Sequence, residues 1–248
     1  MARFFINQPF EVGQTVRIKG EDSYHIQRVL RLKANDRVTL CDGMGFDYKA
    51  SIVSLGSDYT ICEILEKKAS QGEPETKVTL YQALPKASKM DLIIQKTVEL
   101  GVHSIIPIIT DRVVVRLAKD KDVLKKQARW QRISEAAAKQ SGRGITPTIH
   151  RPMTYSQAIM DPGKSLKLVL WEGERDRGLR SILDKHQDGN NIAVLIGPEG
   201  GLTQGEVSLA GGKGWIPVSL GPRILRTETS SLSVLSAIMY RMEEMEWK

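Results

Sequence analysis

Apolar and polar residues alternate over short runs in residues 1–70. Four runs, 15–19, 37–41, 48–55 and 59–65, read as half-buried strands, because side chains on a strand point alternately to its two faces. Glycines and Asp-Gly or Ser-Asp pairs separate them at turn-like intervals. Between the first two runs, Ile26, Val29 and Leu30 share one face of a helix expected over residues 22–32. Short strands at this spacing predict a small barrel. Residues 67–76 lose the apolar period and gain Gly72 and Pro74. That composition predicts a linker and two domains, residues 1–72 and 73–248.

Beyond the linker the period changes. Apolar runs at 78–84, 102–110, 167–171, 192–196 and 216–220 alternate with helical patterns at 89–100, 120–140, from Thr203, and from about Thr227 to the end. Gly101 has the place of a left-handed helix cap. The run at 102–110 is apolar almost throughout, as in a strand buried on both faces. Strand and helix in alternation predict an α/β domain with a mainly parallel sheet.

Composition adds compartment and partner. A net charge of +7 over 248 residues favours an anionic partner, because each phosphate contact releases condensed counterions. Cys41 and Cys62 lie in strand-like runs and in no motif, so they read as reduced core residues. His25, His103, His150 and His186 are too scattered for metal-ligand spacing. The start of the chain lacks the basic and apolar regions of a signal peptide, and no run reaches membrane-span length. A cytoplasmic protein without membrane or metal is expected.

Two segments carry the chemistry. The first follows the run at 192–196: Gly197-Pro198-Glu199-Gly200-Gly201, then Thr203 and Glu206 in capping-box spacing. Strand, glycine loop and helix start form a ligand site at the carboxyl edge of a sheet. The loop lacks the Gly-Lys-Ser/Thr and Gly-x-Gly-x-x-Gly patterns of phosphate cradles, and Glu199 would repel a pyrophosphate. A cationic or polar ligand suits it better. The second segment runs from Ser219 to Ser230. Gly221-Pro222 forces a turn, Arg223, Arg226 and Glu228 crowd beyond it, and Thr227 or Thr229 can cap the last helix.

Together, Gly197-Pro198-Glu199-Gly200-Gly201 and Ser219-Leu220-Gly221-Pro222-Arg223-Ile224-Leu225-Arg226-Thr227-Glu228-Thr229 resemble the SPOUT methyltransferases. Within them the chain is most similar to the bacterial 16S ribosomal RNA (uracil-N3)-methyltransferase family. Further matches run along the chain: Arg3-Phe4-Phe5, His25 to Arg31, Asp42-Gly43, Gln82 to Lys86, Lys89-Met90, Gln95-Lys96, Glu99-Leu100-Gly101, Glu135 to Arg143, and Glu172. Leu202, where an aromatic is common, and Ser230, Ser231 and Ser233, where small alanines are usual, depart from the pattern.

The resemblance implies an N-terminal PUA-like β-barrel and a C-terminal α/β domain with a deep trefoil knot. It implies a homodimer acting on 16S ribosomal RNA or the small ribosomal subunit. S-adenosyl-L-methionine would bind along Leu170, Glu172, Ile196, Gly197, Pro198, Glu199, Gly200, Gly201, Ser219, Leu220, Gly221, Ile224, Leu225, Arg226 and Thr229. Arg226, Glu228 and Arg143 are the candidate catalytic residues. The arginines would stabilise a uracil anion, and Glu228 would act as base or orient an arginine. Arg3, His25, Arg28, Arg31, Lys86, Lys89, Arg112 and Arg132 are the candidate RNA contacts, with Arg116 nearby. A SPOUT enzyme for another RNA position (a ribose 2′-hydroxyl or a guanine) and a non-catalytic RNA-binding assembly protein stand as alternatives.

Overall fold

The computed structural model describes residues 2–6, 8–114, 120–160, 166–186 and 190–245. Arg116 therefore lies outside the described residues. The chain forms two compact units. The first comprises Met1–Glu73 together with Ala138–Thr146, and the second comprises Pro74–Ala137 and Pro147–Lys248.

In the first unit, β1 (Arg3–Phe5), β2 (Thr15–Lys19), β3 (Arg37–Cys41), β4 (Phe46–Leu55) and β5 (Tyr59–Ala69) form one sheet in the order β1-β3-β4-β5-β2. The pairs are antiparallel except β1 with β3. β1 and β2 are the two edges, yet Phe4 of β1 and Val16 and Ile18 of β2 share one core with Tyr48, Ile52 and Ile64. The sheet must curl for both edges to reach that core. β1 has only three residues, too few to show a period in the sequence.

The helix expected over residues 22–32 is shorter and mixed. An α-helical turn, α1 (Gly20–Tyr24), passes into a π-helical turn over His25–Val29. The wider turn is marked by Leu30 N–H donating to the His25 carbonyl at 2.9 Å. It buries Ile26 completely, and Arg31 ends the segment with φ +54°.

The residues read as a linker are tied down. Glu73 accepts hydrogen bonds from the amides of Gly144 and Ile145, at 2.7 and 2.9 Å, and pairs with Arg143 at 2.7 Å. One carboxylate thus gathers the loop 142–145 onto the first unit, an attachment between residues 70 or more positions apart that no local pattern announces.

The second unit contains β6 (Lys77–Ala83), α2 (Lys89–Glu99), β7 (Ser104–Ile109), α3 (Asp120–Ser141), β8 (Thr148–Ile149), β9 (Met153–Thr154), α4 (Tyr155–Ile159), β10 (Leu166–Leu170), α5 (Leu179–Leu183), β11 (Asn191–Ile196), α6 (Gln204–Gly211), β12 (Ile216–Val218) and α7 (Thr227–Arg241). The end of α3 belongs to the first unit. The sheet order is β12-β10-β11-β6-β7-β8, with β9 also on β7, and its pairs are parallel. β8, β9, α4 and α5 escaped the sequence pattern because each has only two to five residues.

Two helix ends follow local rules closely. α2 closes with Val102 N–H donating to Thr97 O and Gly101 N–H to Val98 O, both orphan carbonyls being satisfied while Gly101 adopts φ +95°. α6 opens with the reciprocal Thr203–Glu206 capping box. On one side of the sheet Tyr81, Ile106, Val169, Leu195, Trp215 and residues of α4 and α6 pack together. Burial of this face is the dominant stabilising term for the unit.

The strand order positions the site. From β10 the chain moves to β11 on one side, then returns past β10 to β12 on the other. The loops leaving these three strands are therefore neighbours at the carboxyl edge of the sheet, where the reversal opens a crevice.

Candidate active site

That crevice is a cavity of about 430 Å³, within the range of small-molecule sites. It is lined by the ends of β10, β11 and β12 and by the loops that follow. Every residue expected around the cofactor lines it except Thr229. Thr229 is exposed on the first turn of α7.

The glycine loop is held from several directions. Gly201 N–H donates to Pro198 O at 2.9 Å, closing a turn in which Gly201 has φ +68°. Arg112 Nη1 donates to Gly200 O at 2.6 Å. Thr227 Oγ1 donates to Gly197 O at 2.8 Å and accepts from Gln82 Nε2 at 3.0 Å. Gln82 Oε1 in turn accepts from Ser231 Oγ at 2.6 Å. Gln82, Thr227 and Ser231 are all buried, so this relay lies beneath the cavity and joins β6, α7 and the loop.

Thr227 therefore does not cap α7, as the sequence suggested. The N-cap position falls to Arg226, whose side chain makes no capping bond. The Thr227 hydroxyl faces the sheet edge, where the Gly197 carbonyl and the Gln82 side-chain amide engage it.

The second loop is pinned by backbone pairing. Ser219 N–H donates to Arg177 O at 2.8 Å, and Leu179 N–H donates to Ser219 O at 3.1 Å. The Ser219 hydroxyl accepts from Gly221 N–H at 3.1 Å, and Gly221 takes φ +106°. Beyond it Arg223, Ile224 and Arg226 stand exposed at the rim.

Three charges meet at the cavity wall. Lys89 Nζ lies 3.3 Å from Glu199 Oε1 and 3.2 Å from Glu228 Oε2. Glu199 Oε1 also accepts the Lys86 backbone N–H at 3.0 Å. Burial works against the charged form of Glu199, yet its own amide, that of Lys86 and the Lys89 ammonium hold its carboxyl below the usual carboxylate range. The Glu228 carboxylate, helped by Glu199, holds Lys89 above the usual lysine range.

Of the remaining predicted residues, only Lys89 lines the cavity. Arg143 is 4% exposed in the first unit and paired with Glu73, and it is not among the cavity-lining residues. To act as a catalytic cation it would have to break that buried pair. Arg3 is half-buried, donating to Arg143 O at 2.6 Å and pairing with Asp47 at 2.7 Å. His25, Arg28 and Arg31 are exposed on the first unit, His25 with an edge-on contact to Phe4. In the second unit Lys86, Arg112 and Arg132 are exposed. Lys89, expected on RNA, lies instead on the cavity wall.

Sequence reasoning left Leu202, Val218, Thr227 and Ser230 out of the cofactor lining, where the cavity includes them. Most are immediate neighbours of residues already singled out, so widening each motif by one position would have caught them. Lys89 also lines the cavity; the sequence had marked it as an RNA contact rather than as part of the cofactor lining. Among the described residues no group of three His, Cys, Asp or Glu side chains could hold a metal ion, and no helix is long and apolar enough to cross a membrane.

Comparison with known proteins accords with this geometry. Residues 72–239 match the RNA methyltransferase domain family, and residues 18–65 match the RNA methyltransferase PUA domain family. Fold, cavity and domain matches together define a PUA-bearing RNA methyltransferase. The Bacillus subtilis ribosomal RNA small subunit methyltransferase E is 36% identical, with 98% of each chain covered. The Synechocystis protein of the same name is 34% identical over 94% of this chain and 75% of its own. A crystal structure of the Neisseria gonorrhoeae ribosomal RNA small subunit methyltransferase E bound to S-adenosyl methionine superposes with a TM-score of 0.85 at 36% identity, covering 97% of both chains. The chain belongs to the ribosomal RNA small subunit methyltransferase E family.

Proposed function

We propose that this protein transfers a methyl group from S-adenosyl-L-methionine to N3 of a uridine in 16S ribosomal RNA. The carrying observation is the cavity itself, lined by the two loops that the family motif marks. The relative from Neisseria gonorrhoeae, alike over 97% of both chains, is a cofactor-bound structure and supports the same use of the fold.

The residues present fit the cofactor. The loop is too tight for side chains: a Cβ on Gly197 would lie 3.1 Å from Leu202 Cγ and 3.2 Å from the Gly201 carbonyl carbon. Such a cradle offers main-chain donors and acceptors at close range. Leu170, Ile196, Leu220 and Leu225 supply an apolar wall, and the loop segments 197–201 and 219–226 supply the polar backbone. Bound there, S-adenosyl-L-methionine provides a methyl group already activated by its sulfonium.

The chain's own task is to bind, align and manage one proton. Uridine N3 must lose a proton to become nucleophilic, leaving negative charge shared between N3 and the two exocyclic carbonyl oxygens of the uracil. Arg226, exposed and lining the cavity, is read as the guanidinium that stabilises that charge. Glu228 Oε2 is closed off from solvent and lies 3.2 Å from the Lys89 ammonium. Its part is read as organising the site, with solvent water at the exposed rim taking up the proton.

Exposed His25, Arg28 and Arg31 on the first unit, and Lys86, Arg112 and Arg132 on the second, are read as contacts to the RNA backbone. The protein is further read as a cytoplasmic homodimer with a knotted C-terminal region.

The test pairs calorimetry with single-turnover methylation of small ribosomal subunits. The wild type is expected to bind S-adenosyl-L-methionine. Arg226→Ala should keep cofactor affinity within about threefold and lower turnover by about a hundredfold, the scale of one lost charge-stabilising donor. Absence of cofactor binding by the wild type would overturn the enzyme reading. Undiminished turnover of the variant would remove Arg226 from the mechanism.

A further inference from the structure

Lys89 is the least expected member of the cavity wall. It projects from the start of α2, whereas the two acids it meets belong to different loops. Glu199 lies in the glycine loop after β11, and Glu228 lies in the first turn of α7. We propose that Lys89 is a positioning residue, one ammonium that holds the carboxylates of Glu199 and Glu228 together and so keeps the two halves of the cofactor cradle closed. The proposal rests on the methyl-transfer reading above.

The two acids depend on Lys89 unequally. Glu199 Oε1 has a second anchor in the Lys86 amide. Glu228 Oε2 is shut off from solvent, and among the described residues Lys89 is the only cation within ion-pair distance of that side chain. Without Lys89, two carboxylates that now share one Nζ would face each other with no intervening charge. Like charges at that separation, in a cleft partly screened from water, repel appreciably. The relief available is for α7 and the glycine loop to move apart, which opens the cavity.

The same geometry argues against an RNA contact. An ammonium matched to two carboxylates presents a group with net negative charge. Such a group has no counterion-releasing cation to offer a phosphate. Lys86, three residues earlier and exposed, is the better candidate for that role.

The experiment uses the full-length protein and three variants, Lys89→Met, Lys89→Arg and the double variant Lys89→Met/Glu228→Gln. Calorimetry gives S-adenosyl-L-methionine affinity. Filter binding of a 16S RNA fragment from 50 to 200 mM salt gives the number of phosphate contacts. Lys89→Met is expected to weaken cofactor binding on the order of tenfold while leaving the salt slope of RNA binding unchanged. Lys89→Arg should restore affinity to within about threefold, since it keeps the charge. The double variant should recover much of the lost affinity, since it removes one of the two repelling charges. A merely space-filling role for Lys89 would not predict that recovery.

Unchanged cofactor affinity in Lys89→Met would overturn the proposal. A salt slope reduced by about one would overturn it too, by making Lys89 a phosphate contact. Failure of the double variant to gain on Lys89→Met would exclude the electrostatic cause. If the wild type itself bound no cofactor, the underlying methyl-transfer reading would fail, which is a separate result.

Discussion

Replacing Thr227 with valine isolates the buried relay beneath the cavity. Valine keeps the shape of the side chain and the β-branching, and loses only the hydroxyl. In the structure that hydroxyl donates to Gly197 O at 2.8 Å and accepts from Gln82 Nε2 at 3.0 Å. Thr227 is 5% exposed and Gln82 fully buried, so water cannot replace either partner at low cost. Gln82 Nε2 retains its bond to Ala83 O at 2.9 Å, which leaves one amide hydrogen and one carbonyl short. At about 1–3 kcal/mol for each stranded buried group, the change should destabilise the second unit by about 3 kcal/mol.

Urea unfolding followed by tryptophan fluorescence suits this measurement, because Trp130 and Trp215 are both buried in that unit. The thermal midpoint should fall by roughly 6–12 °C. Thr227→Ser serves as the control: it keeps the hydroxyl and loses one methyl group, for about 1 kcal/mol. A valine variant no less stable than the serine variant would refute the claim that the relay holds the loop. Cofactor affinity should fall with stability, since Gly197 lies where the strand opens into the cradle.

Two other outcomes follow from single residues. Gly201→Ala should cost about 1–2 kcal/mol from its backbone alone, because φ is +68°. A new Cβ would also lie 2.4 Å from Glu172 Oε1, the movable end of a side chain, so adding Glu172→Ala should recover only the steric part in urea unfolding. Burial pushes the thiols of Cys41 and Cys62 up to about 11, so little thiolate exists near pH 8. The native protein should react with a disulfide reagent at pH 8 far more slowly than the protein unfolded in guanidinium. Rapid labelling of two thiols in the native state would contradict their burial.

The parts of this protein legible in its sequence are those governed by short-range rules. The Thr203–Glu206 capping box, the Gly101 helix cap and the alternation of β2 each arise within a few residues, from the hydrogen-bonding needs of one chain end or one sheet face. The glycine loop was legible for the same reason: a strand, three glycines and a helix start specify a backbone that can approach a ligand. Paired with the segment 219–229, it was distinctive enough to indicate the family.

Tertiary structure decided which of several chemically able groups takes each role. Thr227 had the composition of a helix cap, but a carbonyl 30 positions away claimed its hydroxyl. Arg143 had the charge of a candidate cation, and its observed partner is the Glu73 carboxylate, 70 positions away in the same unit. Lys89 was read as an RNA contact, but two carboxylates from distant loops meet at its ammonium. A sequence states that a side chain can donate, accept or carry charge. Which partner it takes depends on the strand order that brings β10, β11 and β12 to one edge, and on which buried groups there would otherwise lack a partner.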